Sequence, residues 1–155
     1  MASNLQYRHV LEHQVAECEY EIDGKRVLCR ILKKGYALAG SDGMSGVFVS
    51  EEVPNVPHDF RFPLAVHEYE ESYTFWHLNP NKKCPNDKDE AHVFAIQREI
   101  EAAESIGRTF LRGYLEFMLD LYDKCLVEAE LRGSPTGREK GFREIYACKM
   151  REMAA

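Results

Sequence analysis

From Val15 to Leu32 apolar and polar residues alternate loosely, and the alternation breaks at Asp23-Gly24, a dipeptide that readily takes the positive φ values of a tight hairpin turn. Two strands are expected, over about 15–22 and 26–32. Upstream, Leu5, Val10 and Leu11 set no clear period, so helix and strand both stand open for Leu5 to His13, with helix preferred. Gly35 to Gly46 carries Gly40, Asp42-Gly43 and Gly46 among small polar residues and precedes Val47-Phe48-Val49-Ser50, a β-branched and aromatic run. A loop feeding a short strand is the expectation there.

Pro54 and Pro57 hold off regular structure until Phe60, and Pro63 suits the first turn of a helix, where its missing N–H is not needed. That helix should span about 62–77. A polar connection from Asn79 to Asp87 leads to a second helix over about 88–106, with acids at its start to complement the backbone dipole and Gly107 at its end. Phe110, Leu111, Tyr114, Leu115, Met118, Leu121, Tyr122, Cys125 and Leu126 then recur at three- and four-residue spacing, the signature of a long amphipathic core helix ending before Gly133. Phe142 to Met150 suggests a last helix. Strands followed by helices make this an α+β chain, mainly β over 15–60 and mainly α over 61–152. With 155 residues, 45% of them hydrophobic, it is expected to fold as a single domain over 1–155.

Composition narrows the function classes. A formal charge of −6 and a pI near 5.5, with no Lys/Arg stripe interleaved with aromatics, argue against a nucleic-acid partner. No stretch reaches the roughly 18–20 apolar residues that span a bilayer, and no leader-like segment opens the chain, so a cytoplasmic protein with no membrane partner is expected. Cys18, Cys29, Cys84, Cys125 and Cys148 are odd in number and form no Cys-x-x-Cys pair, which fits reduced thiols.

The chemistry concentrates in His67-Glu68-Tyr69-Glu70-Glu71. On a helix, i and i+4 lie one turn apart on the same face, so the His67 imidazole and the Glu71 carboxylate can converge on one divalent ion. Glu68 projects beside that pair, where in His-Glu-x-x-His helices a carboxylate serves as general base. A face of solvated carboxylates would spell the same letters. Placement favours metal, because Leu64, Ala65 and Val66 lead into the turn and Tyr73, Phe75 and Trp76 come after it, and uncompensated charge is costly in an apolar helix.

A catalytic zinc needs three protein ligands plus water, so a third must come from elsewhere. His92, in Ala91-His92-Val93-Phe94-Ala95, is the preferred one. Glu99, two turns on and about 10 Å along the axis from His92, is given a supporting or alternative-ligand role. His77 offers another solution, since His67, Glu71 and His77 copy the spacing of His-Glu-x-x-His-x-x-Gly-x-x-His, although Thr74 stands at the glycine position. Cys84 lies in a Lys- and Asn-rich loop without a partner at metal-binding spacing.

In these motifs the chain resembles the zincin class of metallopeptidase-like domains, as a His-Glu-x-x-Glu variant, and more narrowly is similar to small bacterial and phage proteins. In those, a Gly-rich segment and a strand ending in Pro precede His-Glu-x-x-Glu, and an Ala-His-x-x-Ala-x-x-x-Glu helix follows. The matching segments are Gly40 to Gly46, Val47 to Pro54, His67 to Glu71, and Ala91-His92 through Ala95 to Glu99. The resemblance covers about residues 35–106. It implies a Zn2+ site with His67, Glu71 and His92 as ligands and Glu68 as base, and hence a zinc-dependent hydrolase, metallopeptidase-like, in which Glu68 works on a metal-activated water. The substrate would be a peptide or protein; in a peptidase Val47 to Ser50 would be the edge strand that holds it, the alternative being simply a covered sheet edge. The alternative is a non-catalytic interaction or regulatory protein of the same fold, with or without a structural metal. A di-iron carboxylate site is disfavoured, because it wants Glu-x-x-His on two helices and that pattern is missing.

Overall fold

Positive φ at both Asp23 (53°) and Gly24 (75°) closes a two-residue turn between β1 (Gln14–Ile22) and β2 (Lys25–Leu32), as the dipeptide requires. The structure is a computed structural model and describes residues 4–154. β2 pairs in parallel with β4 (Val47–Ser50), and β3 (Ala39–Ser41) lies antiparallel on the far side of β4, giving a four-stranded sheet in the order β1-β2-β4-β3.

Two expectations about this sheet are corrected. Val47 to Ser50 is an internal strand and not an edge, so a peptide cannot add to it. All four of its residues are buried, and a short run apolar at successive positions is what a strand covered on both faces needs. The edge next to it is β3, inside the segment read as loop. Its Ala-Gly-Ser sequence carries no β-branched or aromatic signal, because Gly40 lies under the Phe48 ring, where an added Cβ would come within 2.5 Å of ring carbon.

Helix α1 (Asn4–His13) covers one face of the sheet, with Val10 packed against Leu32 and Phe48. On the same face Arg30 reaches the Tyr7 hydroxyl. The chain leaves β4 through a turn clamped by Arg61, whose guanidinium donates to the carbonyls of Val53 (2.8 Å) and Glu51 (3.1 Å). It then enters α2 (Arg61–Tyr69) on the opposite face of the sheet. There Tyr20 touches Phe62 and donates to Asp59 at 2.7 Å.

The expected helix over 62–77 exists with an interruption. After α2 comes a π-helical turn, Glu70–Thr74, before α3 (Phe75–Leu78), and the Phe75 N–H bonds the Glu70 carbonyl five residues back. Such a turn adds a residue to the coil and rotates the helix beyond it. Here it carries Tyr73 to the Gly-rich loop, where its hydroxyl donates to the Gly46 carbonyl at 2.7 Å. Asp42 organises that loop by accepting the N–H groups of Met44, Ser45 and Gly46 on one oxygen.

Helix α4 runs Lys88–Ile106, as its pattern predicts. Ala91 and Ala95 are fully buried, in line with Glu99. Between this helix and α3 the Phe75 and Phe94 rings meet at 5.7 Å. The chain divides into two compact units, one up to Ala102 and one from Ala103 onward. In the second, α5 (Arg108–Leu131) and α6 (Gly137–Ala154) form an antiparallel pair, with Tyr122 against Tyr146 and Arg143 bonded to Asp123 at 2.7 Å. α6 begins five residues before Phe142. No helix among the described residues is long and apolar enough to cross a membrane.

Candidate metal centre

α2 presents His67 and, one turn later, Glu71 at the start of the π turn; α4 presents His92 and Glu99. His67 Nε2 lies 2.7 Å from Glu71 Oε2 and 3.2 Å from His92 Nδ1, and His92 Nδ1 is 2.8 Å from the same Glu71 oxygen. His67 is buried, whereas the side chains of Glu71 and His92 each keep 20% of their surface exposed, so the cluster sits at the rim of the interhelical seam. The three residues named from the sequence as metal ligands are therefore together, each offering a ligand atom within 4.8 Å of the others.

Glu99 stands behind them. Its carboxylate, with no exposed surface, accepts from His67 Nδ1 at 2.6 Å. With a proton on Nδ1 for that bond, Nε2 is the nitrogen turned to Glu71 and His92, the orientation a metal-bound histidine gains from a carboxylate partner. Glu99 is thus placed to support His67, and its distance from the His92 end of the cluster reflects the rise of α4.

His77 is elsewhere. Beyond the π turn it is exposed and lines a cavity of about 520 Å³ beside the hairpin tip, with Asp23, Lys25, Tyr69 and Tyr73. Glu68 is partly buried next to His67. Burial pushes its carboxyl up, the facing His67 charge pulls it down, and Glu71 and Glu99 push it up again, leaving it at about 7. A group at that value can both take and return a proton near neutrality.

The donor set fits a divalent ion in both spacing and type. Around a tetrahedral zinc with bonds of about 2.0–2.1 Å, ligand atoms lie about 3.3 Å apart. The observed separations of 2.7, 2.8 and 3.2 Å need to open by about 0.1–0.6 Å to reach that spacing, within the reach of side-chain torsions. Two imidazoles and a carboxylate are also the donor types that zinc accepts. Protons matter equally: with Nδ1–H given to Glu99, Nε2 and Glu71 Oε2 are two lone pairs at 2.7 Å, an arrangement that needs a cation between them, either a metal ion or a second proton on His67. In the metal-free chain the proton takes that place. Burial lowers the His67 pKa, yet the Glu99 charge and the bonds to Glu71 and Glu99 outweigh it and raise it well above its usual value. Glu71 shows the counterpart: burial raises it, but bonds to His67 and His92 bring it down to about 2.

Replacing Glu99 by Gln keeps the shape and removes the charge that orients His67. Zinc affinity of the Glu99→Gln variant, measured by competition with a chromophoric chelator, is expected to fall about 10–100-fold. An unchanged affinity would mean that Glu99 does not hold the ligand.

Sequence reading missed Glu70. It is 1% exposed, and its Oε2 has no hydrogen-bond partner. Burial, and then the Asp23 carboxyl at the hairpin tip, raise its pKa to about 7. Because the folded value lies above the usual 4.5, the neutral carboxyl stabilises the fold below about pH 4.5, and that contribution is lost as pH rises through 7. Glu70→Gln should therefore gain on the parent between pH 5 and 8 by on the order of 1–3 kcal/mol, read as a widening gap in thermal midpoint of the chelated proteins. Parallel pH profiles would contradict this.

Comparison with family models, with characterised proteins and with solved structures finds no match to this chain.

Proposed function

We propose that this chain is a cytoplasmic, zinc-dependent hydrolase of metallopeptidase-like type acting on a peptide or protein substrate. The observation that carries the reading is the meeting of His67 Nε2, Glu71 Oε2 and His92 Nδ1, with the Glu99 carboxylate seated on the far nitrogen of His67. Bound there, zinc would supply Lewis acidity and lower the pKa of a water it holds.

The chain's own residues do the rest. His67, Glu71 and His92 would hold the ion, and Glu99 would keep the His67 proton on Nδ1. Glu68, adjacent to His67 in α2, would serve as the general base, taking a proton from water and returning it to a leaving amine. The partly exposed rim formed by Glu71 and His92 leaves the approach open to a substrate from solvent.

One observation favours the alternative, a non-catalytic interaction or regulatory protein. A doubly protonated His67 between Glu71 and Glu99 satisfies the buried groups without any metal. Elemental analysis of protein purified without chelator or nickel affinity separates the two, together with cleavage of an unfolded protein substrate before and after chelation. One zinc per chain, and cleavage that chelation stops and zinc restores, is the expected result; metal-free protein that neither takes up zinc nor cleaves would support the interaction role.

A further inference from the structure

The two strands of the hairpin bring together a second pair of reactive groups. Cys18 of β1 and Cys29 of β2 are direct cross-strand partners, in an antiparallel register that runs unbroken from Ala16↔Ile31 to Ile22↔Lys25. Directly opposed residues of an antiparallel ladder have Cα atoms about 4.5 or 5.5 Å apart, depending on the pair type, and both values fall within the about 4.4–6.8 Å that a disulfide spans. Both side chains lie on the face of the sheet turned toward α2, so their Cβ vectors point the same way. All five cysteines are free thiols.

The pair is asymmetric in a way that suits stepwise oxidation. Cys29 is fully buried, whereas Cys18 is partly exposed on the outer strand of the sheet. The facing Cys29 thiol outweighs burial and, with Tyr20 also contributing, draws the Cys18 thiol down to about 7. Cys29 is shifted upward by its Cys18 neighbour and by its burial. The accessible sulfur is thus the one poised as thiolate, and the inaccessible one lies behind it.

We propose that Cys18 and Cys29 form a reversible cross-strand disulfide, with Cys18 as the attacking thiol, Cys29 as the resolving thiol, and a low-molecular-weight disulfide as the oxidant. The Cys18 thiolate attacks one sulfur of the small disulfide, forming a mixed disulfide and releasing one small thiolate. Cys29 then loses its proton and attacks the Cys18 sulfur, forming the internal bond and expelling the second small thiolate. Two protein thiols are oxidised by two electrons in all, the small disulfide is reduced to two thiols, and the two protein protons end on them.

The experiment uses the full chain in glutathione buffers of increasing glutathione disulfide content, with a chelator present, quenched by alkylation and read by intact mass and peptide mapping. The expected product has lost two of its five alkylatable thiols, weighs about 2 Da less than the reduced chain before alkylation, and maps to a Cys18–Cys29 link. Cys18→Ser should abolish the link. Cys29→Ala should instead accumulate glutathione on Cys18, and since Cys18 is partly exposed, Cys18→Ser remains informative if the buried substitution fails to fold. Five alkylatable thiols at every buffer ratio, a persistent mixed disulfide in the parent chain, or a link between other cysteines would each overturn the proposal.

Discussion

Zinc added to the metal-free protein is expected to raise its thermal midpoint by about 10 °C at saturating metal, and His67→Ala is expected to erase that rise. A ligand that binds only the folded state at 100 to 1,000 times its Kd contributes about 2.7–4.1 kcal/mol. For a chain of this size each kcal/mol shifts the midpoint by about 2–4 °C. His67 is the right residue to remove because it touches every other member of the cluster: Glu71 and His92 through Nε2, Glu99 through Nδ1. Alanine there also leaves two carboxylates facing a hole, so the variant will be less stable even without metal. His92→Ala, at a less buried position, serves as the second test. The same rise in both variants as in the parent would place any bound zinc elsewhere.

The rise should also depend on pH, with a definite sign. In the metal-free fold His67 holds its second proton above the usual histidine range, because two carboxylates flank it. Zinc must displace that proton, so binding weakens as pH falls and the zinc-induced gain shrinks toward pH 5.5. A non-catalytic protein that relies on the imidazolium would show the opposite preference, stable in acid and indifferent to metal.

Much of this arrangement was legible along the chain, for reasons that can be named residue by residue. Asp23-Gly24 fixes its turn because few other dipeptides accept two positive φ angles, and the spacing of His92, Ala95 and Glu99 fixes a face because a helix has a single period. The four-residue spacing of His67 and Glu71 put two donors on one face, and α4 supplied the third. Features set by tertiary contact could not be read in this way. β3 is a strand only because β4 pairs with it and Phe48 needs a glycine opposite. The π turn has no composition of its own: Glu-Glu-Ser-Tyr-Thr would continue an α-helix, and the observed coil fits the bond from Tyr73 to Gly46. Glu70 reads as one more solvated acid until the hairpin tip is seen against it. His77 keeps the right count of residues from His67, yet the extra residue of the π turn sends it toward the hairpin tip.

Glu68→Gln separates catalysis from binding more cleanly than any change to a ligand. Glu68 makes none of the close contacts among His67, Glu71 and His92, so the amide should leave zinc content and the zinc-induced rise in midpoint close to those of the parent. An amide cannot accept and return a proton at neutral pH, and loss of a positioned general base typically costs about 10²–10⁴-fold in rate. The expected result is therefore a loaded, stable protein whose kcat on an unfolded protein substrate falls by at least about 100-fold with little change in KM. The parent's rate should also fall on acidification as Glu68 and the ligand histidine take up protons. Retained turnover in Glu68→Gln would remove the carboxylate from the reaction while leaving the metal site standing, whereas loss of zinc along with turnover would recast Glu68 as part of the ion's own coordination.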